Sequence, residues 1–412
     1  MSKDRRRSPD TGLFCIVFLL LVIGIILVFD ASYGRAGQVK YTGGDSLYFL
    51  KRQAMYGVFG LLLMFAAMHT RYWKLKPIGS VILAISILGL ILVLVVGPEV
   101  NGAKRWMRFG PISFQPSEFA KLGLVMYLAA LLTIKGRAIR DLKVLATALA
   151  PLALIAALVM LQPDMGTTIV LCSTAMVMVF LGGAKSRHLA FIMAIGVILA
   201  CVFAFSAHYR RERLLSFINP FNDYHGSGYQ VCHSLIALGS GGPFGVGLCE
   251  GREKLFYLPA EHTDFIYAVL GEETGLIGTL FLAGLFLILG IRGLHIARRT
   301  KDSYGRLLSG GATTLICGQA LLNMLVVTST VPATGVPLPF ISYGGCSLAM
   351  NLLCAGIILS VSKYPDPIET YENENSTYGR RHRRTRVSRN RHSRSSALGG
   401  RERVGVRASL SR

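Results

Sequence analysis

Charged residues are scarce in this sequence, and long polar stretches are few. Only 16% of the 412 residues are Asp, Glu, Lys or Arg, whereas 52% are hydrophobic. An average soluble domain carries about 25% charged residues, so this composition nearly excludes a water-soluble fold. A chain of this length has room for ten apolar helices of about 20 residues, the length that crosses a bilayer. The sequence therefore predicts an all-α, polytopic membrane protein.

Motifs for nucleotide and metal binding are also missing. The chain has no G-x-x-x-x-G-K-[ST] loop and no G-x-G-x-x-G turn that opens a helix after a strand. Its eight cysteines show no disulfide framework and no metal-ligand spacing. Cys232 and Cys249 share one predicted external loop, where two free thiols are favoured over a disulfide. The sequence predicts no metal ligands.

Ten apolar segments are predicted to cross the membrane. They are 13–29, 48–68, 77–96, 116–134, 144–162, 166–183, 187–206, 264–291, 307–329 and 343–362. Most Lys and Arg residues fall on the side of the two termini, so both termini, including residues 1–12, are predicted to be cytoplasmic. The membrane domain then covers 13–364.

Three external loops follow from this orientation: 30–47, 97–115 and 207–263. The last has 57 residues, and loops of that length are usually functional. Its YQVCHSLIALG stretch predicts a short helix on the outer membrane surface.

The segment 365–412 differs from the rest of the chain in composition. Residues 380–412 contain 12 Arg and a single acidic residue, Glu402. Because large apolar residues are almost absent, the segment is predicted to be a disordered cytoplasmic tail. Its charge predicts binding to anionic lipids of the inner leaflet, and nucleic acid is not a predicted partner.

Ionisable residues at membrane depth are costly, which makes them candidate site residues. Glu118 and Lys121 share one face of the fourth predicted helix. Their spacing favours two interpretations equally, a self-neutralising ion pair and a functional site. A basic and aromatic cluster lies upstream on the predicted outer side: Lys104, Arg105, Trp106 and Arg108. A positive patch that faces outward indicates an anionic partner.

Asp264 and Glu272 are the acidic candidates of the eighth predicted helix. If the helix begins at Asp264, Glu272 lies about 80° around it and about 12 Å deeper, so both acids would face one cavity. Asp264 also suits a helix N-cap, whereas no capping role explains Glu272. His262 lies beside Asp264 and could join a network with it.

Other polar residues indicate structural roles. Asp164 is expected to cap the sixth helix. Gln319 and Asn323, at positions i and i+4, are expected to form interhelical hydrogen bonds. The stretch TGVPLPFISYGGCS should interrupt helical structure, and irregular backbone at that depth must be buried or line a cavity.

Together these residues suit an anionic, lipid-borne substrate on the outer side of the membrane. No ATP is available there, so a synthetic reaction needs an activated substrate such as a lipid pyrophosphate. Cations would stabilise the leaving group, and a single carboxylate could act as general base on a sugar hydroxyl. Glycoside hydrolysis, in contrast, uses paired acids.

Four blocks of sequence resemble the signature motifs of the SEDS family (shape, elongation, division and sporulation). The blocks are NGAKRWMRFGPISFQPSEFAKL, QPDMGTTIV, the run from INPFNDYHGSGYQ to LFYLPAEHTDFIYAVLGEETGLIG, and PLPFISYGGCSL. The resemblance covers roughly 13–362 with the same ten-span layout. GDSLYFLKRQ and REKLFYLP are more similar to the division branch, FtsW, than to the elongation branch, RodA.

The resemblance implies a peptidoglycan glycosyltransferase that polymerises lipid II and releases undecaprenyl diphosphate. It places the essential acid on Asp264 and assigns substrate contacts to motif positions and their neighbours: Arg105, Trp106, Glu118, Lys121 and Glu272, with Lys104, Arg108 and His262 beside them. The motif L-P-E-x-H-T-D reads LPAEHTD here, which displaces Glu261. Cys346 replaces a small hydroxyl residue after Y-G-G.

The implied setting is the bacterial cytoplasmic membrane at the division septum. The implied partners are a class B penicillin-binding protein, which is a transpeptidase, and other divisome proteins. No cofactor is predicted, and a requirement for a divalent cation, Mg²⁺ or Mn²⁺, is left open. Three alternatives remain at this stage: a lipid II flippase, an elongation-type polymerase similar to RodA, and a division scaffold that acts through its tail.

Overall fold

The computed structural model describes residues 8–36, 44–99, 102–109, 112–205, 217, 220–224, 226, 228–255 and 257–364. These residues belong to one compact unit, Arg5–Pro365. Its helices are α1 (Thr11–Ala36), α2 (Tyr48–His69), α3 (Ile78–Val96), α4 (Pro116–Lys135), α5 (Leu142–Leu161), α6 (Met165–Leu181), α7 (Ser186–Phe205), α8 (Tyr229–Gly241), α9 (Ile266–Arg299), α10 (Ser303–Val327) and α11 (Gly345–Lys363). The predicted tail lies outside the described residues.

Ten of these helices have 17 or more residues and match the ten predicted spans in order. The eleventh, α8, confirms the short helix predicted within the long external loop. Three 3₁₀ helices connect longer elements: Tyr72–Leu75, Gly136–Arg140 and Pro220–Asp223. The all-α prediction is therefore confirmed for the described part of the chain, apart from one small hairpin.

That hairpin consists of β1 (Met107–Phe109) and β2 (Ile112–Phe114), which pair antiparallel with Met107 opposite Phe114. It lies in the loop predicted at 97–115. The Gly-Pro dipeptide between the strands is a turn signal, but a hairpin was not predicted there.

Apolar side chains cover much of the outside of the helical bundle. Within the described ranges, seven helices are long and apolar enough to cross a membrane, and α6 and α7 contain shorter apolar stretches. α3 carries some of the most exposed side chains, including Ile85, Leu88 and Val95. In contrast, α4, α10 and α11 are mostly buried and form the centre. Exposed apolar helices around a buried centre indicate an integral membrane protein.

Helix α9 differs from the predicted span 264–291, because it begins at Ile266 and breaks at Gly275. Gly275 has a φ of 66°, and a Cβ atom there would lie 2.4 Å from the backbone nitrogen of Gly245. The glycine-rich turn that follows α8 packs against this break: Val246 N–H donates to Glu272 O (3.0 Å), and Leu276 N–H donates to Gly242 O (2.9 Å). Only glycine allows so close an approach of two backbones.

The segment between α10 and α11 is irregular, as predicted, and its central part is buried. Leu338, Phe340 and Ile341 are at most 1% exposed. Ser342 Oγ accepts a hydrogen bond from Leu338 N–H (2.8 Å), and Gln53 of α2 donates its side-chain amide to Ser342 O (3.2 Å). Protein groups thus satisfy backbone that could not face lipid.

Candidate active site

A buried ion pair joins Glu118 and Lys121 in the first turns of α4. Lys121 Nζ lies 2.9 Å from Glu118 Oε2, and the two side chains are only 4% and 3% exposed. Lys121 Nζ also donates to Gln319 Oε1 of α10 (2.8 Å). Two buried charges require such partners, because removing them from water is costly. The predicted self-neutralising pair is therefore present.

Gln319 and Asn323 of α10 extend this pair toward Asp264. Gln319 Nε2 donates to Pro337 O (2.9 Å), while Asn323 Nδ2 donates to Val336 O (2.8 Å) and to Asp264 O (2.7 Å). The interhelical bond expected of Gln319 is confirmed by its contact with Lys121. Both side-chain amides also donate to carbonyls of the irregular segment between α10 and α11. Their i, i+4 spacing alone did not predict these contacts. Gln319 thus binds the buried cation, and Asn323, one turn further along α10, binds the main chain of Asp264.

Asp264 lies just before α9, not inside it. Phe265 occupies the N-cap position, and α9 begins at Ile266. The carboxylate is half-buried, and a Cβ atom on Gly335 would lie 3.4 Å from its Oδ2. Gly335 has a φ of 69°, which suits glycine and brings the irregular segment beside the carboxylate. The helical angle predicted between Asp264 and Glu272 was therefore wrong, since Asp264 precedes the helix.

Glu272 has backbone partners within the long loop between α7 and α9. Its Oε1 accepts from Arg252 N–H (2.7 Å), and Oε2 accepts from Glu253 N–H (3.2 Å). The side chain is 3% exposed. Glu272 lies inside α9 and caps no helix, in agreement with the prediction, and its carboxylate instead accepts from two loop N–H groups. Its substrate contact stays a prediction.

His262 packs among aromatic rings beside Asp264. Its ring centroid lies 4.7 Å from that of Phe49 and 5.6 Å from that of Tyr343, and its carbonyl accepts from Tyr343 N–H (2.9 Å). Nδ1 lies 3.3 Å from Glu261 Oε1, and both side chains are buried. These contacts fix the course of the chain that leads into Asp264.

Arg105 binds backbone carbonyls of the turn before α6. Its Nε donates to Gln162 O (2.9 Å), and its guanidinium also donates to Pro163 O. Lys104 and Trp106 are half-buried beside it, whereas the side chain of Arg108 lies outside the described residues. In the same turn Asp164 accepts from Thr167 N–H (3.0 Å), which confirms its predicted capping role.

Two charged clusters involving the long loop between α7 and α9 were not predicted from the sequence. Lys254 pairs with Asp30 and Glu273, and Glu253 Oε2 lies 2.6 Å from His233 Nδ1. Burial lowers the pKa of Lys254, but hydrogen bonds with the two carboxylates outweigh this effect and raise it above its usual value. No motif signals these pairs, because their members are far apart in the sequence.

The described residues contain no group of three or more His, Cys, Asp and Glu side chains that could hold a metal ion. In the same ranges the buried Cys232 and the exposed Cys249 form no disulfide, as the sequence favoured.

The FtsW/RodA/SpoVE family model, described as a cell cycle protein, matches residues 11–366. The chain belongs to this family. Stage V sporulation protein E of Bacillus subtilis is 40% identical over 363 residues, which are 87% of this chain and 98% of that protein. A probable peptidoglycan glycosyltransferase FtsW of Geobacter metallireducens is 38% identical, over 86% of this chain and 94% of the relative.

Solved structures support the same membership. A chain of a peptidoglycan synthase complex that coordinates polymerization and crosslinking is 31% identical, with a TM-score of 0.71 over 87% of this chain and 99% of its own length. The rod shape determining protein RodA of Thermus thermophilus is 28% identical, with a TM-score of 0.63 and the same coverage. The ten-helix layout of this FtsW/RodA/SpoVE protein is thus shared with members of known structure.

Proposed function

We propose that this protein is a peptidoglycan glycosyltransferase that polymerises lipid II at the outer face of the bacterial cytoplasmic membrane. The observation that carries the proposal is the position of Asp264. Its carboxylate is half-buried beside Gly335, and its backbone carbonyl accepts from Asn323 of α10, one turn after the Gln319 that binds Lys121. Such a carboxylate is fixed in place without being enclosed. The names of the family relatives support the activity.

In this proposal Asp264 acts as the general base. It accepts the proton of the 4-hydroxyl of the acceptor sugar as that oxygen attacks the anomeric carbon of the donor. The bond from that carbon to the pyrophosphate breaks, and undecaprenyl diphosphate leaves. Lys121 and the basic cluster of Lys104, Arg105 and Arg108 stabilise the charge that develops on the leaving group.

The other predicted substrate contacts have positioning roles in this proposal. Glu118 holds Lys121, Trp106 lies beside Arg105, His262 sets the chain before Asp264, and Glu272 holds the external loop. A divalent cation, if the reaction requires one, would act on the pyrophosphate of the substrate. Adding a chelator to the polymerisation assay tests that requirement.

We further propose a role in septal synthesis beside a class B penicillin-binding protein and other divisome proteins, with both termini in the cytoplasm. Relatives named FtsW support the division branch, and the peptidoglycan synthase complex supports a transpeptidase partner. The Bacillus subtilis relative is a sporulation protein, and RodA serves rod shape, so these branches are the alternatives for the cellular role.

Purified protein with its transpeptidase partner should convert lipid II into long glycan strands. Asp264→Asn should remain folded, with an unchanged melting temperature, and should make no polymer. Asp45→Asn provides a control, because Asp45 is an acid of the predicted external loop 30–47 and its side chain is 41% exposed. Wild-type polymer length from Asp264→Asn would contradict the assigned base.

The same liposomes can report lipid II head-group translocation beside product length. A lipid II flippase would move head groups without polymer, and the deeper acid Glu272 would matter more than Asp264. Polymer formation that depends on Asp264 excludes the flippase as the main activity.

A further inference from the structure

Three charged side chains meet where the external loop packs against the bundle. Lys254 Nζ lies 2.6 Å from Asp30 Oδ1 of α1, and it also contacts Glu273 Oε1 of α9. Asp30, Lys254 and Glu273 are 9%, 8% and 2% exposed. We call these residues the Lys254 triad. Their positions in the sequence are up to 243 residues apart, so only the tertiary structure brings them together.

Because the triad is buried, its charges restrict where the loop can lie at Lys254. A buried charge that loses its partner strongly destabilises the folded protein, so each carboxylate needs the ammonium group close by. Lys254 is the only member that the loop contributes, since Asp30 and Glu273 belong to α1 and α9. Any displacement of the loop at Lys254 would leave two buried carboxylates without their shared cation.

Neighbouring residues of the same segment are anchored as well. The backbone N–H groups of Arg252 and Glu253 donate to Glu272, and the Glu253 carboxylate contacts His233 of α8. Leu258, four residues after Lys254, is fully buried. The segment from Arg252 to Leu258 is therefore held in place, and it ends six residues before Asp264.

We propose that Lys254 is a positioning residue for Asp264, acting by locking the external loop to α1 and α9 through Asp30 and Glu273. This role rests on the proposed polymerase function and deepens it. Asn323 of α10 binds the backbone carbonyl of Asp264. The Lys254 triad fixes the segment that precedes Asp264 in the sequence. Small misplacements of a catalytic group are costly, so a second anchor has a kinetic effect.

The chain offers a matched control at the other end of the same two helices. Arg292 NH1 of α9 lies 2.9 Å from Asp10 Oδ1, and these side chains are 46% and 22% exposed. Asp10 lies directly before α1. Arg292→Met removes a contact between the α1 and α9 regions without touching the loop. It separates loop positioning from general docking of the two helices.

The experiment compares lipid II polymerisation by wild type, Lys254→Met, Lys254→Arg and Arg292→Met, each with its melting temperature. We expect Lys254→Met to polymerise at least about tenfold more slowly, because Asp264 loses its fixed position. Lys254→Arg should recover most of the rate, since a guanidinium group can bridge two carboxylates. Arg292→Met should polymerise like wild type. A wild-type rate from Lys254→Met would overturn the proposal, as would an equal loss from Arg292→Met.

Asp30→Asn supplies a milder variant if Lys254→Met fails to fold. It leaves Lys254 paired with Glu273, so the fold should survive, and polymerisation should still slow severalfold. Unchanged polymerisation by folded Asp30→Asn would overturn the proposal in the same way.

Cys249 gives a readout that does not depend on activity. The Asp30 carboxylate, through a hydrogen bond and its charge, raises the pKa of the exposed Cys249 thiol. In Asp30→Asn that cause is gone, so Cys249 should react faster with a maleimide at neutral pH. An unchanged labelling rate would show that the loop at Cys249 does not lie close enough to sense the Asp30 carboxylate, which contradicts the proposed docking of the loop on α1. If wild type itself makes no polymer, the proposed function fails, while this labelling still tests the contact.

Discussion

The Glu118–Lys121 pair shows how far spacing alone can lead at the level of residues. Positions i and i+3 predict that the two side chains meet, and they do, at 2.9 Å. The third partner, Gln319, is 198 residues from Lys121 in the sequence, so spacing could not reveal it. A sequence motif was enough to select Asp264 as a candidate. Its surroundings could not be predicted, because they depend on packing between distant parts of the chain.

Breaking the buried pair should destabilise the protein more than removing it. Glu118→Gln and Lys121→Met each leave a buried charge without its partner, so each should lower the free energy of unfolding by about 3–5 kcal/mol. The double variant should lose less than the sum of the two single variants, because no unpaired charge remains. Thermal unfolding in detergent measures this.

The exposed pair of Lys51 and Asp45 is the control for this comparison. These side chains are 63% and 41% exposed, and Lys51→Ala should change stability by less than about 1 kcal/mol. Equal losses for the exposed and buried pairs would contradict the view that burial gives the Glu118–Lys121 pair its importance.

At the level of elements, the positions of the helices follow from the sequence, but the break in α9 does not. Ten apolar runs predict ten helices, because each run is long enough to cross a bilayer. The break at Gly275 depends on the glycine-rich turn after α8, whose backbone donates to Glu272 O and accepts from Leu276 N–H. A single helix from 264 was therefore the natural prediction, and tertiary contacts replaced it.

Gly275→Ala should destabilise the loop and lower activity. The alanine would need a φ of 66°, and its Cβ would lie 2.4 Å from the Gly245 nitrogen. In contrast, a Cβ on Gly284, further along α9, would meet nothing within 4 Å. Gly284→Ala should be neutral or stabilising by up to about 1 kcal/mol, because alanine favours helix. Melting temperatures of both variants check the prediction, and similar values for the two would contradict it.

The whole molecule combines a helical membrane bundle with the basic segment 365–412, which composition separated from the rest. Its role is still a prediction, since these residues lie outside the described part of the chain. The family match ends at residue 366, so the relatives supply no function for the tail.

Deleting residues 365–412 should leave polymerisation intact. The proposed catalytic residues all precede the deletion, and membrane adhesion through Arg is worth only about 1 kcal/mol per residue near an anionic surface. Polymerisation of lipid II by the truncated protein, with its partner present, measures this. Loss of all activity would instead favour a scaffold that acts through the tail.

The central claim is that Asp264 faces solvent on the side of the membrane opposite to both termini, where the lipid II head group is presented. The direct measurement is labelling of Asp264→Cys with a membrane-impermeant maleimide, added outside intact cells stripped of their wall or inside permeabilised ones. The background carries Cys15→Ser and Cys249→Ser, because these two free thiols are exposed. We predict labelling from the outside; labelling only from the cytoplasmic side would contradict the account.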